Sequence, residues 1–194
     1  MKKNHLLFLV LFFLSFPAFA DETVFITAPL GVANSVCRQP IWQSGTSFVW
    51  KGIKDERPTT EVAVIDQKNR EPKKYISARN LEVYFDKAIP AILTQCGLIQ
   101  KTASESANYN ISVSLKKFLA EGNKNLIKAE LSAESRLVLN FDNANDNIEV
   151  NIAFLMDSTG ASIGSKKRLE KLLSQLLKGT LEEIIESKQI SFIK

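Results

Sequence analysis

A cluster of oppositely charged side chains at 54–58 is the first place where this sequence could do chemistry. Asp55 and Glu56 precede Arg57 in the segment KDERP. Paired carboxylates can act as the acid and base of glycoside hydrolysis when the two groups lie about 5–9 Å apart. The sequence places no second carboxyl group at that distance. The preferred interpretation is therefore a turn in which Arg57 and Asp55 form a charge-assisted hydrogen bond.

Two glycine-containing segments in the C-terminal half resemble functional motifs. The DSTG at 157–160 has residue types found in aspartic proteases, but those enzymes need two carboxylates that share a proton. One copy is present, so we predict a turn that follows the last strand. The GASIGSKK at 160–167 departs from the phosphate-loop pattern and predicts a helix cap. Weak binding of a phosphate or a lipid head group is the alternative.

Histidine and cysteine are scarce, and this restricts the possible catalytic and metal sites. The single histidine, His5, lies in the apolar N-terminal segment, so the rest of the chain lacks the base of Ser-His-Asp and Cys-His catalysis. We therefore predict no enzyme activity, no metal site and no cofactor. Cys37 and Cys96 are not in a C-x-x-C arrangement. We predict that they form a disulfide, with two separately buried thiols as the alternative.

The N-terminal segment MKKNHLLFLVLFFLSFPAFA at 1–20 is typical of a secretory signal peptide. Its charged start is followed by an apolar run and by a small-x-small cleavage site at 18–20. We predict cleavage before Asp21, with a retained membrane anchor as the alternative. Without Lys2 and Lys3, 23 basic residues remain against 21 acidic ones, a net charge of +2. A charge this small does not favour nucleic-acid binding.

The first half of the remaining chain predicts few regular elements. Proline and glycine punctuate residues 21–46, which predicts an irregular extension with a short strand at 23–27. A strand is expected from residue 47 to a turn at Pro58, followed by a loop or a short hairpin. From residue 81, apolar residues recur every three or four positions. This spacing predicts an amphipathic helix that Gly97 ends and that Pro90 kinks.

Three alternating segments and a second amphipathic helix follow. Apolar and polar residues alternate over 109–115, 127–141 and 148–156, with turn-forming residues between these segments. The alternation predicts a meander of antiparallel strands with one apolar and one polar face. Leucine and isoleucine then recur with helical spacing over 169–185, and Ser165 is the expected N-cap.

The predicted fold follows from where these apolar faces can be buried. The two helices can bury their apolar faces only on the apolar face of the sheet. We therefore predict an α+β fold, a two-layer sandwich in which two amphipathic helices cover one face of an antiparallel sheet of about four strands. A single domain is expected at 47–194. Its polar sheet face is either solvated or a docking surface, and an exposed edge strand could accept a partner's strand.

The order of elements from Phe48 to Lys194 resembles the YajG-like envelope lipoproteins of Gram-negative bacteria. The strand that ends in KDERP is similar to a family strand with an Asp-x-Arg turn, which assigns Asp55 and Arg57 to the ion pair of that turn. SARNLEVYFDKAIPAILTQCGLI resembles the first helix of the family, and KKRLEKLLSQLLKGTLEEI resembles its closing helix. Family members carry a lipid-bearing Cys directly after the signal peptide. This chain has Asp21 there, which predicts a protein without a lipid anchor.

The resemblance implies a non-enzymatic accessory or scaffolding protein that binds a protein partner in envelope assembly, transport or secretion. The implied location is the periplasm, with association to the outer membrane only through a membrane-bound partner. A carrier or sensor of a small apolar or lipidic ligand, held between sheet and helices, is the alternative. The partner's identity and the oligomeric state are left open by the sequence.

Overall fold

Eight strands form one mixed sheet in the computed structural model, which describes residues 21–27, 37, 45–124, 129–160, 165–187 and 190. The strands are β1 (Glu22–Val24), β2 (Ser47–Asp55), β3 (Glu61–Gln67), β4 (Arg70–Ser77), β5 (Ile99–Lys101), β6 (Tyr109–Lys124), β7 (Ala129–Asp142) and β8 (Asn147–Gly160). The helices are α1 (Leu81–Gln95) and α2 (Lys166–Glu186). The predicted signal peptide at 1–20 lies outside the described residues.

The central strand is β6, and two other strands share one of its edges. The first half of β6 pairs in parallel with β2, as far as Asp55 opposite Leu115. The second half pairs in parallel with β3, starting at Ala63 opposite Ala120. The other edge of β6 pairs antiparallel with β7. We call the place on this edge of β6 where pairing with β2 ends and pairing with β3 begins the fork. The segment that connects β2 to β3 passes through it.

The sheet continues on both sides of β6. Beyond the fork, β5 pairs with β2, while β4 and then β1 continue from β3. On the opposite side, β7 and β8 complete the antiparallel meander, so the prediction for these three strands is confirmed. The predicted antiparallel sheet of about four strands is wrong. The sheet is mixed. The sequence could not show this, because an alternating pattern looks the same whether the neighbouring strand is parallel or antiparallel.

Both predicted helices are confirmed. The first, α1, begins after Asn80, whose Oδ1 accepts a hydrogen bond from the backbone N–H of Glu82 at 3.0 Å, as is typical of an N-cap. Pro90 lies inside α1, which continues as one helix to Gln95. Gly97 follows with a φ of 114°. This left-handed conformation is easily adopted by glycine, which explains why the helix ends here.

The second helix, α2, passes through Gly179 and packs closely on β7 and β8. A Cβ atom at Gly179 would overlap the ring of Phe154, so the glycine permits this close approach. Next to it, Thr180 of α2 and Ser135 of β7 are fully buried and share a hydrogen bond. Buried hydroxyl groups need such partners. The Thr180 hydroxyl donates to the carbonyl of Leu176 at 2.6 Å and can accept from Ser135.

The apolar faces of both helices meet the sheet in one hydrophobic core. Phe85 of α1 packs edge to face on Phe118 of β6, with ring centroids 6.1 Å apart. Leu173 and Leu177 of α2 are fully buried against the same layer, as is Phe141 of β7. The space between helices and sheet is therefore occupied by tightly contacting side chains, which is the normal state of a protein interior.

The described part of the extension at 21–46 is attached to this core. Val24 and Ile26 are buried, and β1 pairs in parallel with β4. The backbone N–H of Phe25 donates to Glu170 Oε1 of α2 at 3.0 Å. Through these contacts, the first described residues become part of the domain.

A disulfide joins Cys37 to Cys96, as the sequence predicts. The two Cα atoms lie 5.2 Å apart, and the bond spans a sequence separation of 59 residues. Cys96 is the C-cap of α1, where its backbone N–H donates to the carbonyl of Ile92, and its side chain is fully buried. The bond therefore attaches Cys37 to the end of α1, at the edge of the core.

Candidate functional site

Asp55 and Arg57 form an ion pair at the fork. Arg57 Nη2 lies 2.8 Å from Asp55 Oδ2, and Arg57 Nε lies 2.9 Å from Asp55 Oδ1. The side chain of Arg57 is only 8% exposed and that of Asp55 is 21% exposed. A guanidinium that meets both oxygens of a carboxylate forms a stronger and more directional contact than a single ion pair.

The guanidinium of Arg57 also occupies the gap between β2 and β3. Its Nη1 donates to the carbonyl of Glu61 at 3.2 Å and lies 3.5 Å from the carbonyl of Phe118. Glu61 begins β3, and Phe118 lies on the stretch of β6 between its two parallel partners. The ladder of hydrogen bonds is interrupted there, so these carbonyl groups need other donors. Arg57 therefore joins β2, β3 and β6 at one point.

Two further carboxylates lie next to this ion pair. The backbone N–H of Asp55 donates to Glu82 Oε1 at 2.7 Å, which connects the fork to the first turn of α1. Glu56 pairs with Lys116 and with Lys54. Hydrogen bonds from Lys116 and then Lys54 lower the pKa of Glu56 to about 2. A general acid working near neutral pH needs a raised pKa, so the shift at Glu56 has the opposite sign.

Replacing Glu56 with Gln is expected to alter stability at neutral pH but not in strong acid. The folded state keeps the Glu56 carboxylate ionised, so its contribution is present above the ordinary pKa of 4.5 and is lost as the pH falls toward 2. At neutral pH, urea unfolding should therefore give a lower free energy of unfolding for Glu56→Gln than for the wild type. Near pH 2 the two free energies should be about equal. Glu71→Gln, at an exposed carboxylate on β4, is the matched control. A difference that stays constant across this range would contradict the ion pairing of Glu56.

The two glycine-containing segments lie at the end of β8 and the start of α2. Residues 157–160 are part of β8, so the predicted turn there is wrong. Pairing with β7 continues to Ala129 opposite Gly160, and this ladder keeps the segment extended. Ser165 is the N-cap of α2, as predicted. Residues 161–164 lie outside the described residues.

The sheet face opposite the helices carries a groove of about 560 Å³ between β3, β6, β7 and β8. Its walls include the carboxylates of Asp66, Glu121, Glu130 and Asp157. Across the ranges that the structure describes, no three His, Cys, Asp or Glu side chains converge as a metal site requires. The groove is part of the polar face for which the sequence predicts either solvation or docking.

One edge of the sheet is long and carries no lysine or proline, two of the features that block strand pairing. We call it the β8 edge: the side of β8 (Asn147–Gly160) that faces away from β7. This strand has 14 residues without lysine, arginine or proline, and its register with β7 is free of bulges. Antiparallel pairing leaves about half of the backbone N–H and C=O groups of β8 pointing away from β7. Among the described residues, no strand pairs with the β8 edge.

The other edges of the sheet are short or carry lysine and proline. Strands β1 and β5 have three residues each. Beyond β1, the outer side of β4 includes Pro72, Lys73 and Lys74. Short edge strands, lysine and proline are the features with which proteins discourage unwanted strand pairing. The sequence showed the lack of lysine and proline at 147–160, but only the strand order shows that this segment is an edge.

These features define a two-layer α+β domain with a forked, mixed sheet and one long edge that pairs with none of the described strands. The chain belongs to the family described as uncharacterized lipoprotein, whose model matches residues 51–194. The matched region starts in β2 and includes the fork, both helices and β8. This family is the YajG-like family that the sequence resembles. Membership indicates a membrane or envelope location. Within the described ranges, neither helix is both long and apolar enough to cross a membrane.

Solved structures are similar to this chain at low sequence identity. A protein of Xanthomonas campestris from the DUF330 family has a TM-score of 0.55 and 11% identity, over 84% of this chain and 91% of that chain. A Helicobacter pylori homologue of a neuraminyllactose-binding hemagglutinin has a TM-score of 0.39 and 10% identity, over 80% and 95%. A Neisseria meningitidis lipoprotein has a TM-score of 0.34 and 10% identity, over 73% and 99%. No curated protein matches the chain.

Proposed function

We propose that this protein is a non-enzymatic periplasmic module that binds a protein partner in envelope assembly, transport or secretion. Its binding site is the β8 edge, which adds a strand of the partner to the sheet by β-augmentation. The observation that carries this proposal is the contrast among the sheet edges. The 14 residues of β8 have no lysine or proline, whereas the other edges are short or carry lysine and proline.

The charged residues at the fork support the non-enzymatic part of the proposal. Arg57 is engaged by the carboxylate of Asp55 and the carbonyl of Glu61, and Glu56 is held ionised by two lysines. These groups stabilise the junction of three strands. The filled layer between sheet and helices, which includes the fully buried Phe85 and Phe118, gives no support to the carrier alternative.

Site-specific crosslinking in cells tests the proposal. A photoreactive amino acid replaces Leu155, which is 64% exposed on β8, and in a matched control it replaces Val83, which is 47% exposed on α1. We expect one protein, identified by mass spectrometry, to be crosslinked in the envelope from position 155 and not from position 83. Equal crosslinking from both positions, or none from position 155, would contradict a binding site at the β8 edge.

A further inference from the structure

We infer that a basic and aromatic patch beside the start of α2 binds the surface of an anionic lipid bilayer. We call it the α2 patch and define it as Phe25, Lys166, Lys167 and Lys171. The patch shares no residue with the β8 edge, so the inference goes beyond the proposed function and does not depend on it. Four observations support an anionic lipid surface as the occupant.

The first observation is that Phe25 and the three lysines lie together at the surface. The backbone N–H of Phe25 donates to Glu170 Oε1 of α2 at 3.0 Å, and Lys166 Nζ lies 5.7 Å from the centroid of the Phe25 ring. Phe25 is nevertheless 62% exposed. Lys166, Lys167 and Lys171 are also exposed. Since Lys167 and Lys171 are four positions apart on a helix, their side chains share one face.

The second observation is that the lysines of the patch lack acidic partners. Within the described ranges, Lys167 and Lys171 form no ion pair, whereas lysines of β4 and β6 pair with glutamates. Two carboxylates on the adjoining elements are already engaged. Glu170 accepts from the backbone of Phe25, and Glu22 of β1 pairs with a lysine of β4. The positive charge of the patch is therefore available to anionic groups outside the chain.

The third observation is that the charge order of α2 opposes the helix dipole. The first turn contains KKR at 166–168 and no acidic residue, and the last turn contains glutamates and no basic residue. The N-terminus of a helix carries a partial positive charge and the C-terminus a negative one, so both groups disfavour the helix. By contrast, α1 has Glu82 in its first turn, as the dipole favours. Charges that oppose local stability are expected where a binding function needs them.

The fourth observation is the composition of the patch, which favours a lipid surface over a protein. Protein interfaces are enriched in arginine and depleted in lysine. Lysine carries a compact charge on a flexible stem, and a negatively charged membrane attracts it without a fixed geometry. Phe25 is the one aromatic residue among the exposed large apolar residues that the structure describes. An aromatic ring beside lysines suits the boundary between head groups and acyl chains.

Flotation with lipid vesicles tests the inference on the protein purified after export. We expect the wild type to bind vesicles of phosphatidylglycerol and phosphatidylcholine but not of phosphatidylcholine alone, and added NaCl should weaken binding. The double variant Lys167→Gln, Lys171→Gln should bind about 25-fold more weakly, because each lysine near an anionic surface strengthens binding about fivefold. The matched control Lys51→Gln, Lys68→Gln removes the same charge at exposed lysines elsewhere and should bind like the wild type.

The melting temperature distinguishes loss of binding from loss of folding. Lys167 lies in the first turn of α2, where a cation opposes the helix dipole. The variant Lys167→Gln, Lys171→Gln should therefore melt at or above the temperature of the wild type while it binds vesicles more weakly.

The aromatic ring is tested separately. Phe25→Ser should weaken binding to the phosphatidylglycerol vesicles roughly tenfold, because the ring no longer leaves water for the head-group region. Ile99→Ser, at a 49% exposed residue of β5, is the matched control and should bind like the wild type.

Three results would overturn the inference. The first is a wild-type chain that does not bind the anionic vesicles, and the second is an equal loss of binding in the patch and control lysine variants. The third is binding that Phe25→Ser leaves unchanged or that inorganic phosphate displaces. In that case the patch attracts anions in general, as an acidic protein or a single phosphate would offer, and a lipid surface is the wrong occupant. The crosslinking from position 155 still decides the proposed function independently.

Discussion

Replacing Cys37 and Cys96 together with Ala is expected to lower the free energy of unfolding by about 4 kcal/mol. The disulfide joins residues separated by 59 positions. A bond across a loop of this length restricts the unfolded chain, and its removal restores that entropy to the unfolded state. Replacement of both cysteines avoids an unpaired thiol, and alanine leaves no unsatisfied polar group at the buried position 96.

Chemical and thermal unfolding measure this effect. For a domain of this size, a loss of about 4 kcal/mol corresponds to a fall in melting temperature of roughly 10 °C. As a control, the unfolding of both the wild type and the variant is measured with and without a reducing agent. Reduction should bring the wild type to the stability of the variant and leave the variant unchanged. Equal stability of the oxidised wild type and the variant would show that the bond does not restrain the unfolded chain.

The elements with strong periodicity could be predicted from the sequence. The helices α1 and α2 and the meander β6–β8 each carry a long repeat of apolar positions, and such repeats identify element type well. The strands β1 and β5 have three residues each, which is too short to show a period. The segment 157–160 has turn-forming residues, yet it remains extended, because its pairing partner β7 continues to Ala129.

The strand order could not be predicted, and for that reason neither the fork nor the β8 edge could be predicted. A pairing of Asp55 with Arg57 can be expected from their closeness in one turn, but the bond from Arg57 to the carbonyl of Glu61 depends on β2 and β3 both pairing with β6. In the same way, the pattern of β8 reads as an ordinary strand. Only its place at the end of the sheet shows that no described strand pairs with its outer side.

Replacing Arg57 with Met is expected to lower the free energy of unfolding by about 3 kcal/mol, which is the lower end of the range for breaking a buried ion pair. The variant leaves the carboxylate of Asp55 without both of its guanidinium contacts and the carbonyl of Glu61 without its donor. The lower end is appropriate because the Asp55 side chain keeps 21% of its exposure. Urea unfolding measures the loss, with Arg79→Met, at an exposed arginine, as the matched control.

A double-mutant cycle distinguishes the ion pair from simple loss of packing. Asp55→Asn removes the charge but keeps an oxygen that can accept the hydrogen bond from the backbone N–H of Arg57. If the cost of Arg57→Met comes from an unpaired charge, then Arg57→Met should cost less in the Asp55→Asn background, with a coupling of about 1–2 kcal/mol. Additive effects of the two substitutions would mean that the cost of Arg57→Met comes from contacts other than its pairing with Asp55, such as the lost hydrogen bond to the carbonyl of Glu61.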